Sequence, residues 1–388
     1  MSEGRVIPNA VPHLAGNEWK YVKECLDTNW VSSAGPFVER FERDVADYLG
    51  VPHAVATMNG SAALHLALRA AGVQPEDEVV VPTLTFIATA GGVVQCGAHP
   101  VFLDSEPVSW GLDAQKLADF LTRECEVRQG RVVDRATGRR VSAVMPVHLY
   151  GHPCDVDAVL EVCRRWPLAV VEDAAESLGA LYRGRRAGAD GVAGCLSFNG
   201  NKIVTAGGGG MVVTRDERLA ARVRALSSQA RSDALEWIHD EVGFNYRLTN
   251  LQAAVGAAQL EQLEDFLERK RRTALHYQQA LGGLDGVTTF REASWARSNY
   301  WMPALLLDRR RCPDVRGLVR DLNARGIQVR PVWHPLHRQP PFRGARVGPI
   351  EVADRLWDRG VLLPCSVGIT VEEREAVIDA LLASLAPA

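Results

Sequence analysis

The segment LAVVEDAAE, residues 168–176, is a short apolar run that ends in an acidic cluster. Runs of this length are typical of strands that are buried on both faces of a parallel sheet. Six more runs of this kind lie between residues 54 and 214, with helical patterns between most of them: AVAT (54–57), EVVVPTLTF (78–86), HPVFLDS (99–105), SAVMPVHLYG (142–151), GCLSFNG (194–200) and GGMVVT (209–214). This alternation predicts an α/β fold with a mostly parallel seven-stranded sheet flanked by helices.

Polar side chains end several of these predicted strands. Because ligands of such sheets bind at the carboxyl ends of the strands, we expect these polar residues to lie along one rim. They are Thr85, Asp104, His148, Asp173, Glu176 and Ser197. The charged segment CEVRQGRVVDRATGRR (125–140) interrupts the pattern, and we interpret it as a small surface hairpin that decorates the domain without forming its core.

The chain is long enough for two domains, and its pattern changes after Asn250. Apolar residues then recur at helical spacing for about eight turns. Beyond Gly286 a smaller alternation of strand-like and helical segments resumes. We therefore predict a large domain over residues 1–250 that includes an N-terminal arm, a long connecting helix over 251–280, and a small C-terminal α/β domain over 281–388.

The composition excludes several classes of protein. A formal net charge of -3 provides no basic surface for nucleic acid. The N-terminus lacks a basic segment followed by an apolar one, and no stretch approaches the roughly 20 apolar residues of a membrane span. Eight scattered cysteines without a CxxC pair predict reduced, mostly buried thiols and no metal site. We expect a cytoplasmic protein that binds neither nucleic acid nor membranes.

The segment SFNGNKIVTAGGGGMVVT, residues 197–214, places one lysine, Lys202, between a strand and four glycines. A lysine amine that is held neutral and in position forms Schiff bases with aldehydes. Glycines let the backbone approach a bulky planar group closely. By itself the segment is equally consistent with a surface lysine beside a tight hairpin. It matches neither of the glycine motifs of nucleotide-binding loops.

Two acids and two other groups extend this hypothesis. Asp173 stands where a carboxylate could pair with a protonated pyridine nitrogen, and Glu176 could approach a phenolic oxygen on the same ring. Both acids could instead cap the following helix. Ser61 begins an apolar helix whose free amides suit a phosphate, although serine is also a common N-cap. Phe86 could stack on a flat ring or belong to the core.

Taken together, the chain resembles the DegT/StrS family of nucleotide-sugar aminotransferases, which share the fold type I architecture of aspartate aminotransferase. The matched segments occur in family order and span nearly the whole chain: GSAALHLAL, PTLTFIATA, PVHLYG, VVEDAAESLGA, SFNGNK, GGGGMVVT, FNYRLTNLQAA and RPVWHPLH. The resemblance implies pyridoxal 5'-phosphate as cofactor, with pyridoxamine phosphate as its intermediate form. It also implies a homodimer with shared active sites.

Roles carried over from the family assign Lys202 to the Schiff base and Asp173 to the pyridine nitrogen, as the catalytic pair. The other implied cofactor contacts are Gly60, Ser61, Ala62, Phe86, Glu176, Ser197, Asn199 and Asn245, with Asn245 reaching the phosphate of the other subunit. The implied substrate contacts are His148, Arg247, Trp333, His334 and His337.

The resemblance further implies transfer of an amino group from L-glutamate to a nucleotide-linked keto sugar, for amino-sugar, surface-glycan or antibiotic-sugar biosynthesis. Some family members carry histidine in place of the lysine and act as dehydrases, so Lys202 favours transamination. The expected substrate is a 4-keto-6-deoxy sugar, for example UDP-linked 2-acetamido-4-keto-2,6-dideoxyhexose, with a GDP-linked perosamine-type substrate as the alternative.

Three other functions are consistent with parts of the sequence. A pyridoxal-phosphate enzyme could act on a non-sugar cyclic ketone. A nicotinamide-dependent dehydrogenase could use a similar sheet, although the glycine fingerprint for that cofactor is missing. A sensor or binding subunit would not need the combination of Lys202, Asp173 and Ser197.

Overall fold

The structure is a computed structural model that describes residues 6–233 and 235–386. Residues 1–5 of the predicted large domain and 387–388 of the predicted small domain lie outside the described residues. The strands are β1 (His53–Thr57), β2 (Glu78–Pro82), β3 (His99–Leu103), β4 (Cys125–Arg128), β5 (Arg131–Asp134), β6 (Arg140–Val144), β7 (Ala169–Asp173), β8 (Leu181–Tyr182), β9 (Arg185–Arg186), β10 (Ala193–Ser197), β11 (Gly210–Thr214), β12 (Val287–Thr289), β13 (Ala296–Arg297), β14 (Ala304–Leu307), β15 (Arg330–Pro331), β16 (Arg346–Val347) and β17 (Gly360–Leu362).

Helices flank these strands and connect them. They are α1 (Glu18–Asp27), α2 (Pro36–Leu49), α3 (Gly60–Ala70), α4 (Ile87–Gln95), α5 (Ala114–Glu124), α6 (Val156–Arg164), α7 (Glu217–Ser227), α8 (Asn250–Leu260), α9 (Leu263–Leu281), α10 (Val315–Ala324), α11 (Val352–Arg359) and α12 (Val371–Ser384). Two short helices of the tighter 3₁₀ type follow β15, and another follows β6.

The central sheet confirms the predicted α/β fold. The seven predicted strands lie in the order β1-β11-β10-β7-β6-β2-β3. Pairing is parallel from β10 to β3 and antiparallel from β1 through β11 to β10. The short strand β16, from the C-terminal part of the chain, adds a parallel edge beside β3. The polar residues after the parallel strands therefore share one rim, as predicted.

Residues 125–140 form a hairpin, but the prediction that this hairpin stays out of the core is wrong. Strand β4 pairs with β5, and β5 continues the main sheet by pairing with β6. Cys125 and Val132 are fully buried in the cluster that also contains Leu117 and Val141. The charged side chains of the segment alternate with these apolar ones, so one face of the hairpin still joins the core.

The predicted connecting helix is interrupted. Helix α8 ends at Leu260 and α9 begins at Leu263, and Gln262 between them has non-helical backbone angles. The N-terminal arm packs at this break: the Gln262 side-chain amide donates to Glu18 at 3.0 Å, and Asn17 donates to Glu261 at 2.7 Å. Helix α8 packs on α1 and α2, whereas α9 packs on α12 of the C-terminal part. The break allows α8 to pack on α1 and α2 while α9 packs on α12.

The C-terminal part of the chain contains a second, smaller sheet. Its strand order is β12-β14-β17-β15, and α10 and α12 bury their apolar faces against it. Strand β13 does not belong to this sheet. It pairs instead with β8, which follows β7 along the chain. This pairing brings residues 298–302 back to the rim of the main sheet. The division into domains at residues 250 and 280 stays a prediction.

All eight cysteines are buried as free thiols, as predicted. Within residues 6–233 and 235–386, no helix has the length and apolar character that crossing a membrane requires.

Candidate active site

Lys202 lies in the turn between β10 and β11, and its amine faces the rim of the sheet. The amine donates to a Glu176 carboxylate oxygen at 3.1 Å and lies 3.8 Å from the centre of the Trp301 ring. An ammonium over an indole face is held by the negative charge of that face. The Lys202 side chain is only 13% exposed. The lysine is therefore a positioned amine and not a free surface group.

Asp173 ends β7 with its carboxylate buried. Thr89 donates to this carboxylate at 2.7 Å, and the amide of Ala175 donates at 3.2 Å. Burial raises the pKa of Asp173, while these hydrogen bonds and the Lys202 charge oppose the rise. A protonated ring nitrogen would provide the neutralising partner that this buried acid needs.

Glu176 lies in the turn after β7, between Lys202 and the backbone of Tyr150. One carboxylate oxygen accepts from the Lys202 amine, and the other accepts from the Tyr150 amide at 2.8 Å. Burial raises the pKa of Glu176 to about 7, although the Lys202 charge and the Tyr150 hydrogen bond oppose this rise. Glu176 can therefore accept or release a proton near neutral pH, directly beside the amine.

The start of α3 lies where the sequence predicts a phosphate-binding site. The Asn59 side chain caps the helix by accepting from the Ala62 amide at 2.8 Å. A Cβ atom on Gly60 would approach the Cβ of Ser197 to 2.9 Å, so glycine allows α3 and the end of β10 to meet. Ser61, in the first turn of α3, and Ser197, at the end of β10, are therefore close to each other at a helix N-terminus, where free amides favour anions. The Ala62 amide is already used by the cap, which makes Ala62 the less available of the predicted donors.

Aromatic side chains border the same rim. Phe86 precedes α4 and is 56% exposed, with its ring centre 5.4 Å from that of Trp333. Trp333 also contacts Tyr150 and Trp301. An exposed phenylalanine at this rim, unlike a core phenylalanine, is available to stack on a planar ligand.

Two of the predicted substrate contacts have internal partners. His148 is fully buried: its Nε2 lies 2.9 Å from Glu172, and its Nδ1 accepts from the Cys154 amide at 3.1 Å. Arg247 is paired with Glu42 at 2.9 Å and donates to the carbonyl of Ala56. These contacts support the ends of β1 and β7, and the roles of His148 and Arg247 in substrate binding stay a prediction.

The other predicted residues are more dispersed. The Nδ1 of His337 is 2.7 Å from the Thr83 hydroxyl, and His334 packs against Trp357. Asn199 and Asn245 are exposed, and Asn245 pairs through its backbone with Ser228. Their predicted roles are not tested by the contacts within one chain.

Sequence reasoning missed Trp301, Asn299, Tyr150 and Thr89. Trp301 contacts the Lys202 amine, although about a hundred residues separate the two in the chain. Asn299 donates to the carbonyls of Glu176 and Leu178, which holds the acidic turn in place. Thr89 could have been found from its position one turn into α4, next to Phe86. Tyr150 lies within the matched segment PVHLYG, whereas no local pattern marks Trp301 or Asn299.

The residues that are present fit pyridoxal phosphate. They combine a positioned amine, a buried acid that needs a cationic partner, a helix N-terminus with two serine hydroxyls, and an exposed aromatic ring. Together with the fold, this set defines a lysine-dependent enzyme of the aminotransferase class.

Comparison with known proteins identifies the family. Residues 12–382 match the DegT/DnrJ/EryC1/StrS aminotransferase family. The chain belongs to this family, and the predictions of enzyme class and cofactor are confirmed with it. The chain is similar to the GDP-perosamine synthase of Caulobacter vibrioides, with 44% identity over 386 residues and 99% of each chain covered.

Two further proteins show the same likeness over almost the full length. A putative pyridoxal phosphate-dependent aminotransferase, EpsN of Bacillus subtilis, is 40% identical over 96% of this chain and 94% of its own. The crystal structure of DesI in the presence of its TDP-sugar product has a TM-score of 0.87 and 31% identity, and covers 99% of this chain and 94% of the other.

Proposed function

We propose that the protein transfers the amino group of L-glutamate to a GDP-linked 4-keto-6-deoxy sugar. The observation that carries the proposal is the Lys202 amine, held between Glu176 and Trp301 beside the buried Asp173. The substrate class follows from the 44% identity to a GDP-perosamine synthase. This likeness favours the GDP-linked alternative over the UDP-linked acetamido sugar as the first substrate to test.

The residues of the chain have separate tasks in this reaction. Bound pyridoxal phosphate would supply an electron-withdrawing ring that carries the amino group between the two substrates. Asp173 would hold a proton on the ring nitrogen, and Ser61 and Ser197 would bind the phosphate. Lys202 would move the proton at the reacting carbon, because an amine that is already in position acts at a high effective concentration.

Glu176 is suited to balance the charge of the Lys202 amine during the reaction. Its pKa of about 7 lets the carboxyl lose or gain a proton as the amine changes its own charge. Such a neighbour avoids leaving an unpaired charge in a buried site.

The direct test supplies the purified protein with pyridoxal phosphate, L-glutamate and one sugar nucleotide at a time. We expect 2-oxoglutarate and a GDP-linked amino sugar, detected by mass spectrometry, when the acceptor is a GDP-linked 4-keto-6-deoxyhexose. The UDP-linked 2-acetamido-4-keto-2,6-dideoxyhexose should react at least about tenfold more slowly, in kcat/KM, than the GDP-linked acceptor. A preference for the UDP-linked sugar, or for a cyclic ketone without a nucleotide, would contradict the proposed substrate.

A pair of lysine variants tests the catalytic role. Lys202→Ala should abolish turnover, whereas Lys20→Ala, which removes an exposed lysine whose amine lies over the Tyr21 ring, should leave turnover unchanged. Substantial activity of Lys202→Ala would overturn the proposal.

A further inference from the structure

Trp301 holds both the amine of Lys202 and the backbone that precedes it. The ring lies 3.8 Å from the amine, and the indole N–H donates to the carbonyl of Asn201 at 2.8 Å. The Trp301 side chain is buried and packs against Tyr150 and Trp333. The position of the reactive lysine therefore depends on the position of Trp301.

Trp301 itself lies in a loop with a demanding conformation. The preceding residue, Tyr300, has a φ of 49°, in the left-handed region that side chains other than glycine seldom adopt. The loop is docked against Gly151, whose own φ is 88°; a Cβ there would fall 1.7 Å from the Asn299 amide oxygen. Such a conformation persists only when surrounding contacts hold it.

Lys270, a buried residue of α9, supplies contacts that hold this loop. Its buried amine donates to the carbonyl of Trp301 at 2.8 Å and to the carbonyl of Cys365 at 2.7 Å, and lies 3.2 Å from the Cys365 sulfur. The Cys365 thiol also donates to the Trp301 carbonyl at 3.0 Å. Three acceptors thus meet the three donors of one ammonium group. Among the described residues, no carboxylate lies within ion-pair distance of this amine.

We propose that Lys270 is a positioning residue for Lys202. It fixes the carbonyl of Trp301, and through the Trp301 ring it holds the reactive amine in place. Removing the amine of Lys270 would leave the buried carbonyl of Cys365 without its donor and the carbonyl of Trp301 with only the weak thiol donor of Cys365, and the loop would relax to find other partners. The inference uses the proposed function only for its activity readout.

The test measures the chemical reactivity of Lys202 in the cofactor-free protein. The sequence contains five lysines, so competitive labelling with an amine reagent and peptide mass spectrometry resolves each of them. In Lys270→Met, we expect the labelling rate of Lys202, relative to that of the exposed Lys20, to rise about tenfold as the amine leaves the indole face. Turnover with pyridoxal phosphate should fall, with KM for the sugar changed less than about twofold.

Two controls separate this role from a general structural one. Lys116→Met removes a partly buried lysine that is bonded to Asp104, and it should not change the labelling of Lys202. In a Trp301→Leu background, Lys270→Met should add nothing further, because its effect passes through the ring. If Lys270→Met does not fold, Lys270→Gln keeps a neutral amide with two N–H donors in place of three and should give an intermediate increase.

Two results would overturn the inference. In the first, the labelling rate of Lys202 in the folded Lys270 variants is within twofold of the rate in the unmodified protein. In the second, the increases caused by Lys270→Met and Trp301→Leu multiply in the double variant. Because labelling needs neither cofactor nor substrate, its outcome is independent of whether the proposed reaction is correct.

Discussion

At the scale of single residues, Thr89 stabilises the ionised form of Asp173. Its hydroxyl donates to the carboxylate at 2.7 Å and thereby opposes the effect of burial on the pKa of Asp173. Thr89→Val should therefore raise that pKa, and binding of pyridoxal phosphate should weaken at a higher pH than in the unmodified protein. Cofactor affinity, measured by absorbance titration between pH 5 and 8, checks this.

The matched control is Thr214→Val, which removes another buried threonine hydroxyl, bonded to the carbonyl of Val192 at the far end of β11. This variant should keep the original pH dependence of cofactor binding. Equal pH profiles for both variants would mean that Thr89 does not act on Asp173.

Glu176 should produce a measurable dependence of stability on pH. Its folded pKa of about 7 lies above the ordinary value of 4.5. The unfolded chain therefore ionises first, and the free energy of unfolding falls as the pH rises from 4.5 to 7 and then levels off. Relative to Glu176→Gln, the fall should be about 3 kcal/mol in the cofactor-free protein.

Urea denaturation at a series of pH values measures this difference. The exposed variant Glu264→Gln should follow the unmodified protein over the same range. A constant difference between Glu176→Gln and the unmodified protein would show that Glu176 does not titrate in this window.

At the scale of elements, Asp104 links the main sheet to α11. The carboxylate lies at the end of β3, fully buried, and accepts from the amides of Glu351, Val352 and Ala353 and from Lys116. Burial opposes its ionisation, but these hydrogen bonds hold the pKa of Asp104 below its ordinary value. One side chain thus caps a helix that belongs to the other end of the chain.

Asp104→Asn should lower the free energy of unfolding by about 2–4 kcal/mol at pH 7, because a charged acceptor of several donors is lost. Asp113 caps α5 through two amides at a partly exposed position, and Asp113→Asn should cost less than about 0.5 kcal/mol, because asparagine caps helices about as well as aspartate. The difference in the free energy of unfolding between the unmodified protein and Asp104→Asn should shrink as the pH falls through the pKa that Asp104 has in the folded protein. Denaturant titration checks both values, and equal losses would contradict the linking role.

At the scale of the whole molecule, we propose a homodimer whose active sites combine both subunits. Asn245 is exposed, and the loop that precedes it exposes Leu235, Trp237 and Val242, with Val242 85% exposed. Trp19 on α1 is 82% exposed. Large apolar side chains exposed in this way indicate a protein contact surface.

A mixing experiment tests the shared site. Lys202→Ala and Asn245→Ala should each be inactive, but coexpression should restore about a quarter of the unmodified activity. Half of the randomly mixed dimers then contain both variants, and each of these has one intact site. Sedimentation velocity confirms the dimer, and failure to restore activity in a confirmed mixed dimer would place Lys202 and Asn245 in the same subunit's site.

The sequence by itself determined the sheet and the reactive centre. The seven strands, the glycine turn after Lys202 and the acids after β7 are local patterns, because periodicity and turn preferences act over a few residues. Only the tertiary structure decided which partners these residues meet. Trp301 contacts Lys202 and Asn299 contacts Glu176 across about a hundred to a hundred and twenty residues, and Lys270 contacts the carbonyl of Trp301 from another helix.

The same reason accounts for the sequence predictions that differ from the structure. The break between α8 and α9 depends on the N-terminal arm that packs there, and the core role of Cys125 depends on the pairing of β5 with β6. The acids that pair with His148 and Arg247 could likewise not be predicted from the sequence around either residue. A buried polar group takes whichever partner the fold brings within reach, and that choice depends on long-range packing and not on local sequence.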